Sequence, residues 1–395
     1  MESTYQTLLT LLGRALFSSG GTLPNELDWE ALWRESRSHA VQLLAYDCLS
    51  KEERATMPPW LESQWKQEAL SILWKNEQIA AEERTVLAAL RQAGIPHVIL
   101  KGSSSAMSYP RPELRCAGDI DLLVAPERLD AAQAVLEGLN YAPPTELHHC
   151  HRAMYRDGFI VELHFEPNGI PQGTAGNVLR QYFQGAEGRT MDWQGLPVLP
   201  PAPRAVLMLT HKLEHILSSG MGLRQLCDWA AFVGREMTPE LWKELDQVLR
   251  QSGLLYFAKI ITRACTDALN LPASCAPWCL EGSEELAQAL LGDILNTGNF
   301  GHKENRYGQR LFTDGQDGSR LGSLLRTGVS TCKSHWPVCA EHPILLPVAP
   351  IVLVAQYRRR RKMGTRPAFR PLSLYKEAAP RQKLYQALRP YVPEE

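Results

Sequence analysis

The chain has no excess of charge of either sign. Its 395 residues include 42 lysines and arginines against 43 aspartates and glutamates, so the formal net charge is −1. A protein that coats nucleic acid needs a basic surface over its binding face. We therefore do not expect extended nucleic-acid binding, although a small local RNA contact is compatible with this balance.

Cysteines are few and follow no regular framework. The nine cysteines are scattered, and Cys265, Cys275 and Cys279 lack the paired C-x₂-C spacing that is typical of zinc sites. Residues 1–20 lack the basic segment that opens a signal peptide. We therefore expect reduced thiols, most of them small buried side chains, and a cytoplasmic location.

No apolar run is long enough to span a bilayer. Residues 344–355 are apolar, but these twelve residues are interrupted by Pro347 and Pro350, and a spanning helix needs about 20. Five basic residues follow at 358–362. The simpler interpretation is a buried C-terminal helix with a solvated basic end. The alternative is a weak interaction of residues 344–362 with a membrane surface or an acidic partner.

Several common nucleotide and hydrolase motifs are also missing. The sequence contains no G-x-x-x-x-G-K-[ST] phosphate loop, no G-x-G-x-x-G after a predicted strand and no G-x-S-x-G turn. These absences leave the P-loop, Rossmann and α/β-hydrolase architectures without support.

Two aspartates in one short predicted strand are the most informative feature that is present. Asp119 and Asp121 lie in residues 118–124, with the sequence GDIDLLV. Side chains alternate between the faces of a strand, so the two carboxylates share one face, and Ile120, Leu122 and Val124 share the other. Close carboxylates repel, and a divalent cation such as Mg²⁺, which prefers oxygen ligands, removes that cost. The pair predicts a metal site of the kind that holds a nucleoside triphosphate.

Segments on both sides extend this pattern. Residues 97–105, HVILKGSSS, predict a buried strand that ends at Gly102 and leads into a serine-rich helix start. The N–H groups and dipole of such a helix start favour a phosphate. Residues 159–165, FIVELHF, predict a second strand in which Glu162 and His164 share one face. A third carboxylate beside the aspartates would complete a site for two metal ions.

Histidines are grouped in two places. Residues 148–151 read His-His-Cys-His, which fits either a metal site or, more simply, a polar strand edge near a cleft. His211 and His215 are four residues apart on one predicted helical face, a spacing that metals favour. Since they lack the glutamate of an H-E-x-x-H motif, packed or hydrogen-bonded histidines are the simpler expectation.

The coarse pattern predicts an α+β fold, a small mixed sheet flanked by helical regions. Residues 1–93 show helical apolar spacing with a stop at Gly94, and 95–170 alternate strands and helices. We expect Pro126 to open a helix, and residues 141–165 to form antiparallel strands. The predicted domains are 1–93, 94–170, 171–300 and 301–395.

The region after the predicted sheet is expected to be mainly helical. Residues 171–200 are rich in glycine, proline and glutamine, which predicts a connection. Residues 300–345 predict a loop. Helices are predicted at 203–218, 222–235, 239–251 and 254–269.

Taken in order, these motifs resemble the nucleotidyltransferase superfamily that includes DNA polymerase beta and the aminoglycoside nucleotidyltransferases. The shared pattern is an apolar strand, a Gly-Ser turn, an Asp-x-Asp strand and a later strand with one acid. The finer pattern, from Leu100-Lys101-Gly102 through Val161-Glu162-Leu163-His164, looks like a bacterial branch of poorly characterised nucleotidyltransferase family proteins. The resemblance covers roughly residues 35–305.

The resemblance implies a Mg²⁺- or Mn²⁺-dependent enzyme that moves NMP from an NTP to a hydroxyl group. The acceptor oxygen would attack the α-phosphorus in line, and pyrophosphate would leave. Asp119 and Asp121 would bridge two metal ions about 3.5–4 Å apart. Glu162 would bind the ion on the nucleophile side; its alternative is an exposed strand acid.

The resemblance also suggests the nucleotide-binding residues. Lys101 and Arg115 are candidates for the triphosphate charge, and Gly102 and Ser103 for the phosphate turn. Seventeen positions separate Gly102 from Asp119, more than in the better-known branches, so Ser104 or Arg115 could replace Ser103 in that contact.

Acceptor-side candidates lie partly in the predicted helical half. Arg224 and Asp228 have i,i+4 spacing, which favours either an ion pair within the helix or a role in the acceptor pocket. His164 could line the cleft beside Glu162. We expect the helical half after residue 203 to form the wall opposite the sheet, because pockets favour the junction between domains.

Three functions remain open from the sequence. The first is an enzyme whose acceptor is a hydroxyl of a small molecule, sugar, peptide or protein. The second is a non-catalytic module that binds a nucleotide or a partner on the same fold. The third is a toxin-like enzyme that modifies a tRNA end. The three acids favour the enzyme, because a module without catalysis has no need to keep mutually repelling carboxylates.

Overall fold

The computed structural model of the protein describes most of the first 299 residues and a short C-terminal segment. The described residues are 2–144, 150–218, 220–299 and 381–394, with the single positions 344 and 348. His148 and His149 lie outside them. So do nearly all residues of the predicted loop at 300–345, the apolar stretch at 344–355 and the basic run at 358–362.

A six-stranded mixed sheet, with strand order β3-β4-β2-β1-β6-β5, lies at the centre of the described fold. Its strands are β1 (His97–Ile99), β2 (Ile120–Val124), β3 (His151–Arg156), β4 (Phe159–His164), β5 (Met191–Trp193) and β6 (Leu196–Val198). Strands β2 and β4 are parallel, as are β1 and β6, while the other neighbouring pairs are antiparallel. The α+β fold class is confirmed.

Helices surround the sheet. They are α1 (Glu2–Phe17), α2 (Trp29–Ser38), α3 (Gln42–Asp47), α4 (Lys51–Ala55), α5 (Pro59–Gln92), α6 (Ser103–Ala106), α7 (Leu129–Gly138), α8 (Thr174–Phe183), α9 (Pro201–Leu217), α10 (Leu223–Glu236), α11 (Pro239–Ser252), α12 (Leu255–Leu269), α13 (Glu284–Thr297) and α14 (381–388). Among the described residues, short 3₁₀ turns lie at Pro112–Leu114, Pro126–Arg128, Ala186–Gly188, Ala273–Cys275 and Pro277–Glu281. Within the described ranges, no helix combines the length and apolarity needed to cross a membrane.

Local sequence signals explain where several helices begin and end. The Thr238 side chain accepts a hydrogen bond from the backbone N–H of Leu241, and α11 ends at Gly253 in the left-handed conformation. The expected helices after residue 203 are confirmed to within about two residues. Pro126 opens a 3₁₀ turn that leads directly into α7.

The two faces of the sheet pack against different parts of the chain. Ile120, Leu122 and Val124 belong to a core with α7 and the C-terminal half of α5. Val98 and Leu123, which point the other way, belong to the larger core of the helical regions. The alternation expected for the Asp-x-Asp strand is therefore observed. The face that carries Asp121 also carries Leu123 and faces the larger core of the helical regions.

Helix α5 takes part in both cores. It is 34 residues long, which corresponds to about 50 Å at 1.5 Å per residue. Leu61 and Trp65 in its first half are buried in the helical core, while Val86 and Leu90 in its second half are buried against the sheet. Residues 1–93 are helical as expected, but they do not form a separate layer.

The expected connection at 171–200 contains regular structure. It forms α8, β5 and β6, and β6 joins the sheet by pairing Val198 with Ile99 of β1. The two strands have three residues each and are joined by a turn in which Gly195 has a φ of +83°. Strands this short carry too few residues for alternation to be recognised. The predicted domain boundaries stay predictions.

Candidate active site

Two of the three predicted acids are neighbours across the sheet. In the parallel pairing of β2 with β4, Asp121 is directly opposite Glu162. The same register places both side chains on one face. Asp119 lies two residues before Asp121, just ahead of β2, and its side chain is exposed, whereas Asp121 is buried. The structure therefore brings one buried, one half-buried and one exposed carboxylate to the same end of the sheet.

Asp121 is held between two cationic side chains. Its Oδ1 lies 2.8 Å from Nζ of Lys101 and 3.0 Å from Nε2 of His164. The same His164 nitrogen lies 3.1 Å from Oε2 of Glu162. His164, which is fully buried, thus bridges the two strand carboxylates.

These contacts set the charge state of the site. Burial opposes ionisation of Asp121, but the Lys101 charge and the His164 hydrogen bond outweigh it and hold the pKa of Asp121 well below its usual range. Burial likewise acts to lower the pKa of Lys101, but the charges of Asp121 and Glu162 raise it overall. For His164, burial acts to lower the pKa, but the hydrogen bonds that its Nε2–H donates to Asp121 and Glu162 outweigh burial and raise the pKa. Lys101 and His164 therefore both favour the ionised form of Asp121.

For Asp119, the charges of Lys101 and Arg224 compensate only in part. Loss of hydration, followed by the negative charges of Asp121 and Glu162, raises the pKa of Asp119 to about 6. Asp119 thus lies close enough to Asp121 and Glu162 to feel their charges, and three neighbouring carboxyl groups form a donor set that suits a hard divalent cation. The residues present therefore fit a magnesium or manganese site.

The predicted phosphate turn lies beside Asp119. Gly102 has a φ of +64°, which favours glycine, and a Cβ at this position would lie 3.7 Å from the backbone oxygen of Asp119. Ser103 donates a hydrogen bond of 2.5 Å to Oε2 of Glu83. Ser104 is fully buried, and its hydroxyl makes no hydrogen bond to any residue that the structure describes. The four-residue helix α6 begins here.

Arg115 and Asp228 form a buried pair rather than separate features. Nε and Nη2 of Arg115 donate to the two carboxylate oxygens of Asp228 at 2.7 and 2.9 Å, and the hydroxyl of Tyr109 also donates to Asp228 at 2.8 Å. Burial opposes ionisation, but the Arg115 charge outweighs it and lowers the pKa of Asp228 to about 2. The pair connects the loop before β2 to α10. Nη1 of Arg224 donates to the backbone oxygen of Cys116, at 3.1 Å.

Two residues of α5 that the sequence analysis did not single out support the site. The Asn76 amide group donates to the backbone oxygens of Glu113 and Arg115 at 2.8 and 3.0 Å, and its oxygen accepts from Ala117 N–H at 2.9 Å. Asn76 therefore holds the loop that leads to Asp119. No local signal marks it, because its partners are about 40 residues away.

Glu83 is the second residue that was missed. It is buried, and burial raises its pKa to about 7 despite the hydrogen bond from Ser103. A signal was present in the sequence: Glu83 lies four residues after Ile79 and four before Leu87, on the apolar stripe of the predicted helix. An acid in that position is unusual unless it has a partner.

Helix α9 lies over the acidic face. Nε2 of His211 and Nε2 of His215 are 3.0 Å apart, so the two histidines contact each other as the simpler expectation proposed. Burial, followed by the Lys101 charge, lowers the pKa of His211 well below its usual value, and burial together with His211 does the same for His215. Leu209 and Leu213 of α9 belong to the same core as Leu123, which shares a face of β2 with Asp121, so α9 lies on the side of the sheet that carries the acids.

A second cluster adjoins the carboxylates at the start of β3. Sγ of Cys150 lies 3.6 Å from Nδ1 of His151, and Nε2 of His151 lies 3.5 Å from Oε1 of Glu162. The Cys150 thiol also donates to Oδ1 of Asn168 at 2.7 Å. His151 is paired with His164 across the β3–β4 ladder. Part of the predicted His-His-Cys-His group, Cys150 and His151, therefore lies beside the carboxylates.

The structure places the acid-bearing strand β4 beside the Asp-x-Asp strand β2, next to a Gly-Ser turn on a mixed sheet, and these are the parts that the resemblance to nucleotidyltransferases implied. The chain belongs to the family described as uncharacterised nucleotidyltransferase, whose model matches residues 25–270. That range includes every residue discussed above for the site, and family membership supports nucleotidyl transfer as the general role. Comparison with curated proteins gave no match. Comparison with solved structures gave none either.

Proposed function

We propose that the protein is a Mg²⁺-dependent nucleotidyltransferase that moves NMP from an NTP to a hydroxyl group. The observation that carries this proposal is the parallel register of Asp121 with Glu162, with Asp119 just ahead of the same strand. The raised pKa of Asp119, caused by lost hydration and by the other two acids, supports it. Mn²⁺ is the alternative cation.

Asp119, Asp121 and Glu162 would hold the metal. When bound, divalent ions in such sites neutralise charge on the triphosphate and favour ionisation of the attacking hydroxyl. Lys101 already lies against Asp121, so its ammonium group is close enough to the acids to bind a phosphate oxygen once the metal has taken over the carboxylates.

The remaining nucleotide-side candidates have different surroundings. Gly102 and Ser103 lie at the turn beside Asp119, and Ser104 is buried behind them. Arg115 is paired with Asp228, so we propose that it supports the phosphate turn through the loop before β2 more than it binds phosphate directly.

The acceptor would bind on the helical side. His164 lies beneath the carboxylates, and α9 faces them from the helical half. Arg224 and Asp228 lie on α10, next in the chain, and we propose that they shape the acceptor pocket. A small molecule, sugar, peptide or protein could supply the hydroxyl.

We further propose a cytoplasmic location and, at residues 344–362, a weak interaction with a membrane surface or an acidic partner.

The direct test is incubation with each labelled NTP and Mg²⁺ or Mn²⁺, alone and with cell extract. We expect label to be transferred from one preferred NTP, with release of pyrophosphate. Wild-type protein is compared with Asp119→Asn. Label on tRNA ends would favour the toxin-like enzyme. Metal-dependent NTP binding without pyrophosphate release, under all acceptor conditions, would favour the non-catalytic module.

Titration of NTP against single variants tests the division of the site. Lys101→Ala should weaken NTP binding, whereas Arg224→Ala should leave it nearly unchanged and weaken use of the acceptor. Equal weakening of NTP binding by the two substitutions would contradict this partition.

A further inference from the structure

The cluster at the start of β3 has the composition of a transition-metal site. Cys150, His151 and His164 each offer one ligand atom, and these atoms lie within 4.8 Å of one another. Cys150 and His164 are buried, and His151 is half-buried. One thiolate and two imidazoles are soft and intermediate ligands, a set that suits Zn²⁺ and is poorly suited to Mg²⁺.

The spacing fits a single ion. Zinc–sulfur and zinc–nitrogen bonds of about 2.3 and 2.1 Å at a tetrahedral angle place the two ligand atoms about 3.6 Å apart. The distance from Sγ of Cys150 to Nδ1 of His151 is 3.6 Å. At that distance the two atoms make at best a weak hydrogen bond to each other, but they could share a metal without any movement.

Each histidine also has the second contact that metal-bound histidines need. Nε2 of His151 faces Oε1 of Glu162 at 3.5 Å, and Nε2 of His164 faces Asp121 and Glu162. A carboxylate on one ring nitrogen orients the ring and leaves the other nitrogen for a metal. Nδ1 of His164 is buried and makes no hydrogen bond within the described part of the chain.

Burial, followed by the charges of Glu214 and Glu162, raises the pKa of the Cys150 thiol, so a metal ion has to replace the thiol proton when it binds. The Cys150 thiol donates a hydrogen bond to the amide oxygen of Asn168. A metal-bound thiolate has lost this proton, and rotation of the Asn168 amide would present its NH₂ group to the sulfur instead.

We propose that Cys150, His151 and His164 bind a Zn²⁺ ion beside the carboxylate site. Three protein ligands leave a fourth position for water or a substrate oxygen, which is typical of catalytic rather than structural zinc sites. His164 would belong to both sites: one ring nitrogen binds zinc, and the other is hydrogen-bonded to Asp121 and Glu162. Zinc would thereby fix the orientation of the imidazole that positions both strand acids.

Metal analysis and cobalt substitution test this proposal without measuring transfer activity. We expect purified protein to contain about one zinc per chain. After zinc removal, added Co²⁺ should give a sulfur-to-cobalt charge-transfer band together with the visible bands of a tetrahedral ion. Cys150→Ser should abolish the charge-transfer band, and His151→Asn should weaken Co²⁺ binding at least tenfold.

Two matched variants separate this site from the alternatives. Cys275→Ser, which changes a half-buried cysteine elsewhere, should keep the cobalt spectrum. Asp119→Asn should also keep it while losing any Mg²⁺-dependent transfer. Far-ultraviolet circular dichroism would establish that each variant is folded, and His151→Asn provides the test should Cys150→Ser fail to fold.

The proposal would be overturned by a wild-type protein that binds Co²⁺ without a charge-transfer band, or by an unchanged band in Cys150→Ser. Zinc that is lost in Asp119→Asn but kept in Cys150→Ser would assign the ion to the carboxylates and also overturn it. Since these outcomes report on metal ligands, they stand whether or not the protein transfers a nucleotide.

Discussion

Asp119 and Asp121 are separated by one residue but have opposite surroundings. Asp121 is buried between Lys101 and His164, whereas Asp119 is exposed and is repelled by its neighbours. The same substitution should therefore have different costs at the two positions, which separates a catalytic effect from a folding effect.

We predict that Asp119→Asn abolishes metal-dependent transfer without destabilising the protein. The change removes one ligand charge, which should cost several kcal/mol of transition-state stabilisation. The free energy of unfolding should stay the same or rise at neutral pH, because the ionised carboxylate that the change removes is repelled by Asp121 and Glu162. Steady-state transfer rates and urea denaturation measure the two effects. Wild-type turnover in Asp119→Asn would refute the assignment.

Asp121→Asn serves as the comparison. It should also abolish transfer, but it should lower the free energy of unfolding by about 1 to 3 kcal/mol, because Lys101 and His164 lose their charged partner. Equal stability of the two variants would show that the buried contacts of Asp121 contribute little to folding.

The buried carboxyl group of Glu83 should make the free energy of unfolding depend on pH. Its pKa is raised from 4.5 to about 7 in the folded protein, mainly by burial. The folded state therefore binds this proton more tightly than the unfolded state, and stability is lost as pH rises from about 4.5 through 7. Glu83→Gln should raise the free energy of unfolding by about 2 to 3 kcal/mol at pH 8 and leave it unchanged at pH 4.

Denaturation of the metal-free protein at both pH values measures this difference. Glu77→Gln, an exposed acid on the same helix, is the matched control and should have little effect at either pH. A destabilised Glu83→Gln at pH 8 would mean that the ionised carboxylate has a stabilising partner in the folded protein.

At the scale of elements, the approach to β2 is held by α5 and α10. Asn76 makes three hydrogen bonds to backbone groups of residues 113–117, and Asp228 binds Arg115 in the same loop. Both anchors come from helices distant in sequence. They fix the segment whose end presents Asp119.

We predict that Asn76→Ala lowers both transfer activity and stability. Loss of the three hydrogen bonds should cost about 1 to 2 kcal/mol in unfolding free energy. The freed loop should misplace Asp119, so kcat should fall at least tenfold. Lys75→Ala, an exposed neighbour, is the control. Unchanged kinetics would show that the loop keeps its position without Asn76.

We predict that the buried Arg115–Asp228 ion pair contributes to the free energy of unfolding. Asp228→Ala leaves a buried guanidinium without its partner and should cost about 3 to 5 kcal/mol. The double variant Arg115→Met with Asp228→Leu should recover most of this loss.

Because the pKa of Asp228 is lowered to about 2, its stabilising contribution should be present at neutral pH and should decline as pH falls from about 4 towards 2. Additive single and double variants in urea denaturation would contradict the pairing.

The sequence predicts the faces of these elements better than their partners. Alternation in residues 118–124 and 159–165 correctly separates the acidic face from the apolar one, because side-chain direction is a local property. The pairing of β2 with β4 needed the family resemblance. The contacts of Asn76 and Glu83, and the entry of β5 and β6 into the sheet, depend on tertiary packing and leave little local trace. The roles of the site residues stay predictions.

At the scale of the whole molecule, the acidic face lies between two hydrophobic cores. The sheet core contains α7 and the second half of α5, while the larger core contains α1 to α3 with α9, α10 and α12. The described C-terminal segment contributes Tyr385 and Leu388 to the larger core. The site is therefore built where the two packed units meet, as the proposed two-walled cleft requires.

Helix α5 runs through both units, and its middle is its least buried part, although Ile72 and Leu73 there pack against the larger core. None of residues 70–78, all of them described, is buried, whereas Ala69 and Ile79 on either side are. Amide hydrogens in this stretch are bonded only within the helix, so they should exchange with deuterium by local opening, well before those of 60–69 and 79–90.

Exchange measured by mass spectrometry on peptides from these three stretches should show slow, fast and slow uptake along one helix. Uniform protection would mean that both cores unfold as a single cooperative unit. Different rates in the two protected halves would show that the wall carrying the acids can open while the other wall stays folded.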